Sequence, residues 1–442
     1  MNRNRPLAAL SGVLVAASLA CADPASASEA ELAQRLDQLA AELANVKAEL
    51  AQLRQQRAAA PATAAASAPA TAAIAGAAPA AAAVVAAQSP GLSAEPATAI
   101  LSYAELSYSR PTHDTKNTVA DLGRFVLGYQ HRFDEKTKVA TELEVEHAVS
   151  SADDHGEVEV EQAYVERQLT RQYAARAGLF LMPFGLLNEN HEPTAYYGVF
   201  RNFVETAIIP STWREGGIQI VGDYDNGLTA QAGITTGFDL NKWDATSTEG
   251  YASPLGSIHQ ELQLAKARDL SVFGALNWRG VPGLLVGGAV STGGATHGQA
   301  VASARVTLWD AHTRYAPGRW DFSGVYSRGT ISNTAAFNAS LVGNPTLIPK
   351  SFDGWYGQAA YKVWSNADYS LAPFARYEQF NTARSFADLG PGLTPAAAPN
   401  QRVTTIGANF NVGTGIVLKA DYQWFHDNTD ADRFDLGLGW SF

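Results

Sequence analysis

Cysteine is almost missing: Cys21 is the only one in 442 residues. Such a chain is not held by disulfides, and zinc–thiolate or cysteine-nucleophile chemistry has no ligands to work with. Beyond the first few dozen positions there is also no run of about 20 apolar residues, so no later segment reads as a membrane helix. Two catalytic signatures fail. His191-Glu192 is followed by Pro193-Thr194-Ala195, with no second histidine one turn on, which removes the zinc-protease pattern. No G-x-S-x-G elbow occurs either. The other histidines, among them His113, His131, His147 and His312, are scattered along the chain. Basic charge is the minority, 32 Lys and Arg against 43 Asp and Glu for a net of -11, so nothing favours nucleic acid as a partner. The sequence therefore points away from an enzyme, and it assigns no catalytic, cofactor-binding or metal-binding residue.

What is present begins with a secretory signal. Arg3 and Arg5 precede an apolar stretch from Leu7 to Ala20, and Ala25-Ser26-Ala27 offers a cleavage site, so residues 1–27 are expected to be removed. The rival is a lipoprotein site at Cys21, against which Ser18 stands where such a site prefers Leu. Residues 28–57 carry an unbroken 4-3 seam of Leu32, Leu36, Leu39, Leu43, Val46, Leu50 and Leu53. Arg35, Glu42, Lys47, Glu49 and Arg54 flank it, a pattern that suits a coiled coil. A solitary amphipathic helix is the alternative, and the seam does not decide between dimer and trimer. Residues 58–99, almost wholly Ala, Pro, Thr and Ser, read as a linker.

From Ile100 to Phe442 the texture changes to short alternating runs broken by turns. Sixteen strands are predicted: 100–109, 120–133, 137–149, 157–169, 173–181, 216–224, 228–237, about 270–279, 284–291, 301–310, 318–327, 354–363, 369–380, 402–411, 415–425 and 432–442. Asp225-Asn226-Gly227 is a strong hairpin signal. Short turns fall on one side, and the long connections 182–215, 238–269, 328–353 and 381–401 fall on the other. This is the signature of an all-β fold, a 16-stranded antiparallel transmembrane β-barrel with an N-terminal coiled-coil helix. The segment 258–268 also reads as strand-like, which leaves an 18-stranded count as the competitor. In the last strand Phe434, Leu436, Leu438, Trp440 and Phe442 alternate with small or polar residues, a lipid-facing pattern. The terminal Phe442 is the expected handle for the barrel assembly machinery.

Side-chain parity defines the lumen. In the second strand Phe125, Leu127, Tyr129 and Phe133 face lipid, which turns Arg124, Gln130 and Arg132 inward. In the third, Val139, Leu143 and Val145 face lipid, so Lys138, Glu142, Glu144 and Glu146 point in. A charged interior calls for water, although each of these charges could simply pair across strands. The third long-side loop, 182–215, is the least loop-like stretch. Tyr196, Tyr197, Phe200, Phe203, Ile208, Ile209 and Trp213 are too apolar for a free excursion, and folding onto the lumen wall would narrow the pore. Glu189, Glu192, Arg201, Glu205, Arg214 and Glu215 are then the candidate constriction charges. The competing reading has the loop capping the rim or packing at a subunit interface.

Several runs carry a family resemblance. They are Gly123-Arg124-Phe125 through Phe133-Asp134-Glu135, Glu157-Val158-Glu159-Val160-Glu161-Gln162-Ala163-Tyr164, and Ala177 through Gly185. Asn188-Glu189-Asn190-His191-Glu192-Pro193 and Ile209-Pro210-Ser211-Thr212-Trp213-Arg214-Glu215 follow. Pro373 through Glu378 and Val417 through Tyr422 complete the set. Together they resemble the phosphate-selective porins O and P and their relatives. The resemblance implies a 16-stranded, usually homotrimeric, passive channel with the third loop folded inward, some relatives carrying an N-terminal coiled coil. It does not carry phosphate selectivity here, because the third loop holds two Arg against four Glu. The expectation is an outer-membrane porin of a Gram-negative bacterium, embedded in outer-membrane lipid, with its coiled coil in the periplasm. It would pass small hydrophilic solutes or ions, with cations or neutral solutes preferred. The second reading is an envelope tether that the barrel merely anchors.

Overall fold

A computed structural model describes residues 97–151, 156–298 and 302–442. The expected signal peptide, the expected coiled coil at 28–57 and the expected linker up to residue 96 lie outside the described residues.

Sixteen antiparallel strands form a closed wall. They are β1 (Thr98–Pro111), β2 (Val119–Arg132), β3 (Thr137–Glu146), β4 (Val158–Gln168), β5 (Tyr173–Leu181), β6 (Arg214–Asp223), β7 (Leu228–Thr235) and β8 (Ser271–Trp278). There follow β9 (Leu284–Gly294), β10 (Arg305–Tyr315), β11 (Trp320–Ile331), β12 (Ser351–Tyr361), β14 (Tyr369–Ser385), β15 (Gln401–Val412), β16 (Ile416–Phe425) and β17 (Arg433–Ser441). The two-residue β13 (Trp364–Ser365) is a short ladder at the turn between β12 and β14 and takes no place in the wall. Each wall strand pairs with its sequence neighbour, and β1 closes on β17 with Tyr103 opposite Ser441 and Pro111 opposite Arg433. Closure leaves no free edge, the condition for burying strands in lipid. The strand-like 258–268 joins no ladder: a short 3-10 turn ends at Ile258 and irregular chain follows, so the count stays at sixteen.

The period-2 pattern explains which face is which. Phe125, Leu127 and Tyr129 are exposed on the outside, as are Leu143 and the run Phe434, Leu436 and Leu438. Arg124, the neighbour of Phe125, is 3% exposed on the inside. Aromatic side chains gather near the short-turn end, among them Phe133, Tyr173, Trp278, Trp320, Trp364 and Tyr369, as expected where a wall meets the membrane–water interface. The turns obey local chemistry. Gly227 sits at φ 82 and returns its N–H to the Tyr224 carbonyl at 3.0 Å, a left-handed position that glycine fills at little cost.

Two β-bulges interrupt the parity. The β1–β2 register passes from Glu105 opposite Arg124 to Leu106 opposite Leu122, skipping Gly123. The β3–β4 register passes from Glu142 opposite Gln162 to Leu143 opposite Val160, skipping Glu161. Such an extra residue re-aims a side chain, and here it turns Glu161 to the interior, where it is fully buried.

A large apolar core lies inside the barrel at its long-loop end. Phe184, Ile208, Ile209 and Trp213 pack there with Phe238, Leu240, Trp243, Leu255 and Ile258 from the loop 236–270, and with Ile331, Ile348 and Phe352. Trp213 stacks on Phe238 at 5.1 Å and meets Phe184 at 4.8 Å. Burying each such side chain contributes about 1.5–3 kcal/mol. Three long loops are thereby fixed to the inner wall over β6 to β12.

Candidate functional site: the barrel interior

The segment between β5 and β6 crosses the lumen. It leaves β5 through Met182 and Phe184, and Asn188 fastens its two ends together. The Asn188 side chain donates to the Met182 carbonyl at 2.7 Å and the Trp213 carbonyl at 2.8 Å, and accepts from Trp213 N at 2.7 Å. Next it reaches the wall at β1, β2 and β4. His191 donates from Nδ1 to the Asn188 carbonyl at 2.9 Å. Its Nε2 lies 2.6 Å from Glu161 Oε1 and 2.8 Å from the Tyr103 hydroxyl, which itself donates to Glu161 at 2.8 Å.

The chain then follows the inner wall from β1 toward β16, β15 and β14. Tyr196 donates its hydroxyl to Glu105 and lies under the Lys419 ammonium, 3.4 Å from the ring centre. Val199 N donates to Asp421 at 2.6 Å and Gly198 N to Asn409 at 3.2 Å, while Asn409 returns a bond to the Tyr196 carbonyl at 2.9 Å. Arg376 donates to the Tyr197 carbonyl at 3.3 Å, and Phe203 N donates to Glu378 at 2.6 Å. A single π-helical turn, Val204–Ile208, seats the return leg against β11, β12 and β14. The loop is thus tied to both sides of the barrel by charge-assisted bonds, the stronger kind.

The six charges expected on this loop are not equivalent. Glu205 is 4% exposed and accepts from Leu186 N at 2.6 Å, Leu187 N at 2.7 Å, Asn202 at 2.8 Å and the Tyr356 hydroxyl at 3.0 Å. Gly185, at φ 64, leaves room for it, because a Cβ there would stand 2.2 Å from Glu205 Oε1. Glu215 is likewise buried, accepting from Trp213 Nε1, Thr236 and Gly237 N. Both are internal posts that hold the loop together. Arg214 is buried between Glu159 and Glu261. Glu189 is exposed and faces Gln231 at 3.2 Å, Glu192 is half-buried, and Arg201 reaches Ser211 at 3.1 Å and Thr212 at 2.9 Å. Among the described residues, Arg201 forms no ion pair.

The wall residues group differently. Arg124 pairs with Glu105 at 2.7 Å, and Lys138 with Glu166 at 3.0 Å, where Arg176 joins at 2.5 Å. Glu142 accepts from Gln162 at 2.6 Å. Glu144 is buried, Glu146 is half-buried, and Arg132 is exposed near the short-turn end. The far wall carries its own pairs: Arg314 with Asp321, Arg328 and Arg384 with Asp353, and Arg376 with Glu378. An open cleft of about 610 Å³ remains at the long-loop end beside β1, lined by Ser107, Ser109, Asp121, Phe200, Asn428 and Arg433.

Parity reasoning missed Tyr103, Glu105, Glu159, Glu161, His191, Arg376, Lys419 and Asp421. Alternation in Glu157-Val158-Glu159-Val160-Glu161 carried a signal for two of them. The bulge that keeps both Glu161 and Gln162 inward carried none.

No family model matches the chain. A protein of Aquifex aeolicus (strain VF5), described only as uncharacterized, is 27% identical over 367 residues, covering 80% of this chain and 82% of that one. Among solved structures, the chain is similar to Salmonella typhi OmpF in complex with daunomycin, with a TM-score of 0.54 at 13% identity, covering 78% of this chain and 97% of that one. The outer membrane channel DcaP of Acinetobacter baumannii compares at a TM-score of 0.48 and 14% identity, covering 78% and 97%. The likeness to OmpF is one of fold, and on it this chain has the closed 16-stranded barrel of the outer-membrane porins.

Proposed function

We propose that the protein is a porin of a Gram-negative outer membrane through which small hydrophilic solutes or ions diffuse, cations more readily than anions. The observation that carries this reading is the lumen-crossing loop, anchored at His191–Glu161 on β4 and at Glu205–Tyr356 on β12, across the barrel. A fixed crossing of this kind narrows the passage. The lumen wall at β3 and β4 carries the half-buried Glu142, Glu146 and Glu159, with Glu189 and Glu192 on the loop. Two Arg near that face, Arg124 and Arg214, are already neutralised by carboxylates. A wall of this sign attracts cations and repels phosphate, so the resemblance to phosphate-selective porins extends to fold and transport and not to the solute. Homotrimer formation, assembly through Phe442 and a periplasmic coiled coil belong to the same reading.

The test is a planar bilayer holding the purified full-length chain under a potassium chloride gradient. The reading expects ohmic steps and a reversal potential whose sign shows cation preference. Anion preference would overturn the solute assignment, and an absence of steps would overturn the channel. A second reading draws on the apolar core that fills the long-loop end over β6 to β12. On that reading the barrel is a plugged anchor for an envelope tether, and the bilayer stays silent.

A further inference from the structure

Three carboxylates on the β3–β4 wall converge. Glu144, Glu146 and Glu159 each present an oxygen within 4.8 Å of the other two. The ladder sets Glu144 directly opposite Glu159, and like charges face to face weaken a strand pair. The neighbouring basic groups spend most of their bonds elsewhere, although Arg124 also acts on Glu144 by charge and keeps its Nη1 unbonded. Arg214 binds Glu159 and Glu261, Arg124 binds Glu105 and the His191 carbonyl, and His147 binds Asp121.

A separate observation concerns Glu144 itself. It is 2% exposed, yet among the described residues its carboxylate accepts no hydrogen bond and joins no ion pair. Its neighbours Glu142, Glu159 and Glu161 all have donors. A buried carboxylate without a donor is costly unless cations compensate it; Arg124 alone stands against Glu161, Glu146 and Glu159 here, and the group is aimed into the gap shared with Glu146 and Glu159.

We propose that Glu144, Glu146 and Glu159 bind one hard divalent cation, Ca²⁺, in the lumen wall. All three ligands are carboxylate oxygens, a donor set suited to Ca²⁺ rather than to soft transition metals. Mg²⁺ demands a near-octahedral shell and gives up its waters reluctantly, so carboxylates fixed on two strands suit the larger, more tolerant Ca²⁺. Glu146 and Glu159 are half-buried, so water completes the coordination from the lumen side. The site goes beyond the channel reading and does not depend on conduction.

The experiment is calorimetric titration of calcium chloride into the detergent-solubilised full-length chain after EDTA treatment, at low ionic strength. One saturable site per chain is expected, at least tenfold weaker in Glu144→Gln plus Glu146→Gln and unchanged in Asp388→Asn, an exposed loop control. Magnesium chloride should bind at least tenfold more weakly. Thermal unfolding gives the second readout: Ca²⁺ raises the transition of the unaltered chain and leaves that of the double variant in place. In chelator the variant unfolds no earlier than the parent, because the repulsion is gone. If the double variant fails to fold, Glu144→Gln alone takes its place with the same expected loss. Absence of saturable binding in the parent, undiminished binding in the variant, or equal Mg²⁺ affinity overturns the site. Since none of these readouts measures conductance, their failure is distinct from failure of the channel reading.

Discussion

Replacing Glu205 by Ala isolates what holds the third loop in place. Its carboxylate accepts four bonds, two of them from the backbone N–H groups of Leu186 and Leu187, at the start of the lumen crossing. Alanine strands those two amides in a buried setting. At about 1–3 kcal/mol for each unsatisfied donor, the loop's hold weakens by roughly 2–6 kcal/mol. Every 1.4 kcal/mol is a factor of ten, so the detached population rises by roughly 30-fold at the low end and roughly 20,000-fold at the high end. Glu205→Gln does less. Its carbonyl still serves the two amides and its amide group can donate to the Tyr356 hydroxyl, leaving the Asn202 bond broken, for about 1 kcal/mol. The barrel itself should survive, because the β5–β6 ladder from Tyr173 to Leu181 does not involve this residue. Trypsin cleavage at Arg201 in detergent, with single-channel conductance alongside, reads the effect. The alanine variant should be cut much faster and conduct in larger, noisier steps, with the glutamine variant between it and the parent. Equal cleavage and conductance in all three would refute the assignment of Glu205 as an internal post.

Other expectations follow from the same geometry. Neutralising Glu189 and Glu192 to Gln should move the reversal potential toward zero, because among the described residues neither forms an ion pair. Adding Glu205→Gln to that pair should change it little further, since a carboxylate 4% exposed hardly meets the solute. Trp213→Ala removes a side chain stacked between Phe184 and Phe238 and should cost about 3–5 kcal/mol, read as a lower unfolding transition in detergent. Leu36→Asn plus Leu43→Asn should leave trimers intact on native gels, because the barrel walls are expected to associate independently of the coiled coil.

The wall was legible in the sequence because a strand alternates with period 2, and a lipid-facing set such as Phe125, Leu127 and Tyr129 cannot be moved by one residue without exposing its charges. The inward path of 182–213 was legible for a related reason. Ile208, Ile209 and Trp213 needed an apolar surface, and the structure supplies it inside the barrel. What could not be read was the role of each carboxylate. Glu189 and Glu205 look alike in sequence. One faces the lumen and the other is ringed by donors, a difference set by where the backbone amides of Leu186 and Leu187 arrive. Nor does alternation reveal a bulge, so Glu161 and its contact with His191 stayed hidden. The loop 236–270 gave no sign that Phe238, Trp243 and Leu255 would join the same core, since contacts between distant loops leave no local period.

Cysteine scanning of β3 tests most directly whether this barrel encloses water. In a Cys21→Ser background, single cysteines at 138, 139, 142, 143, 145 and 146 are offered a charged, membrane-impermeant thiol reagent while current is recorded. Positions 138, 142 and 146 should react and change the conductance, while 139, 143 and 145 should stay silent. Uniform reactivity, or reactivity at the second set alone, would contradict a greasy outside and a wet, charge-lined inside.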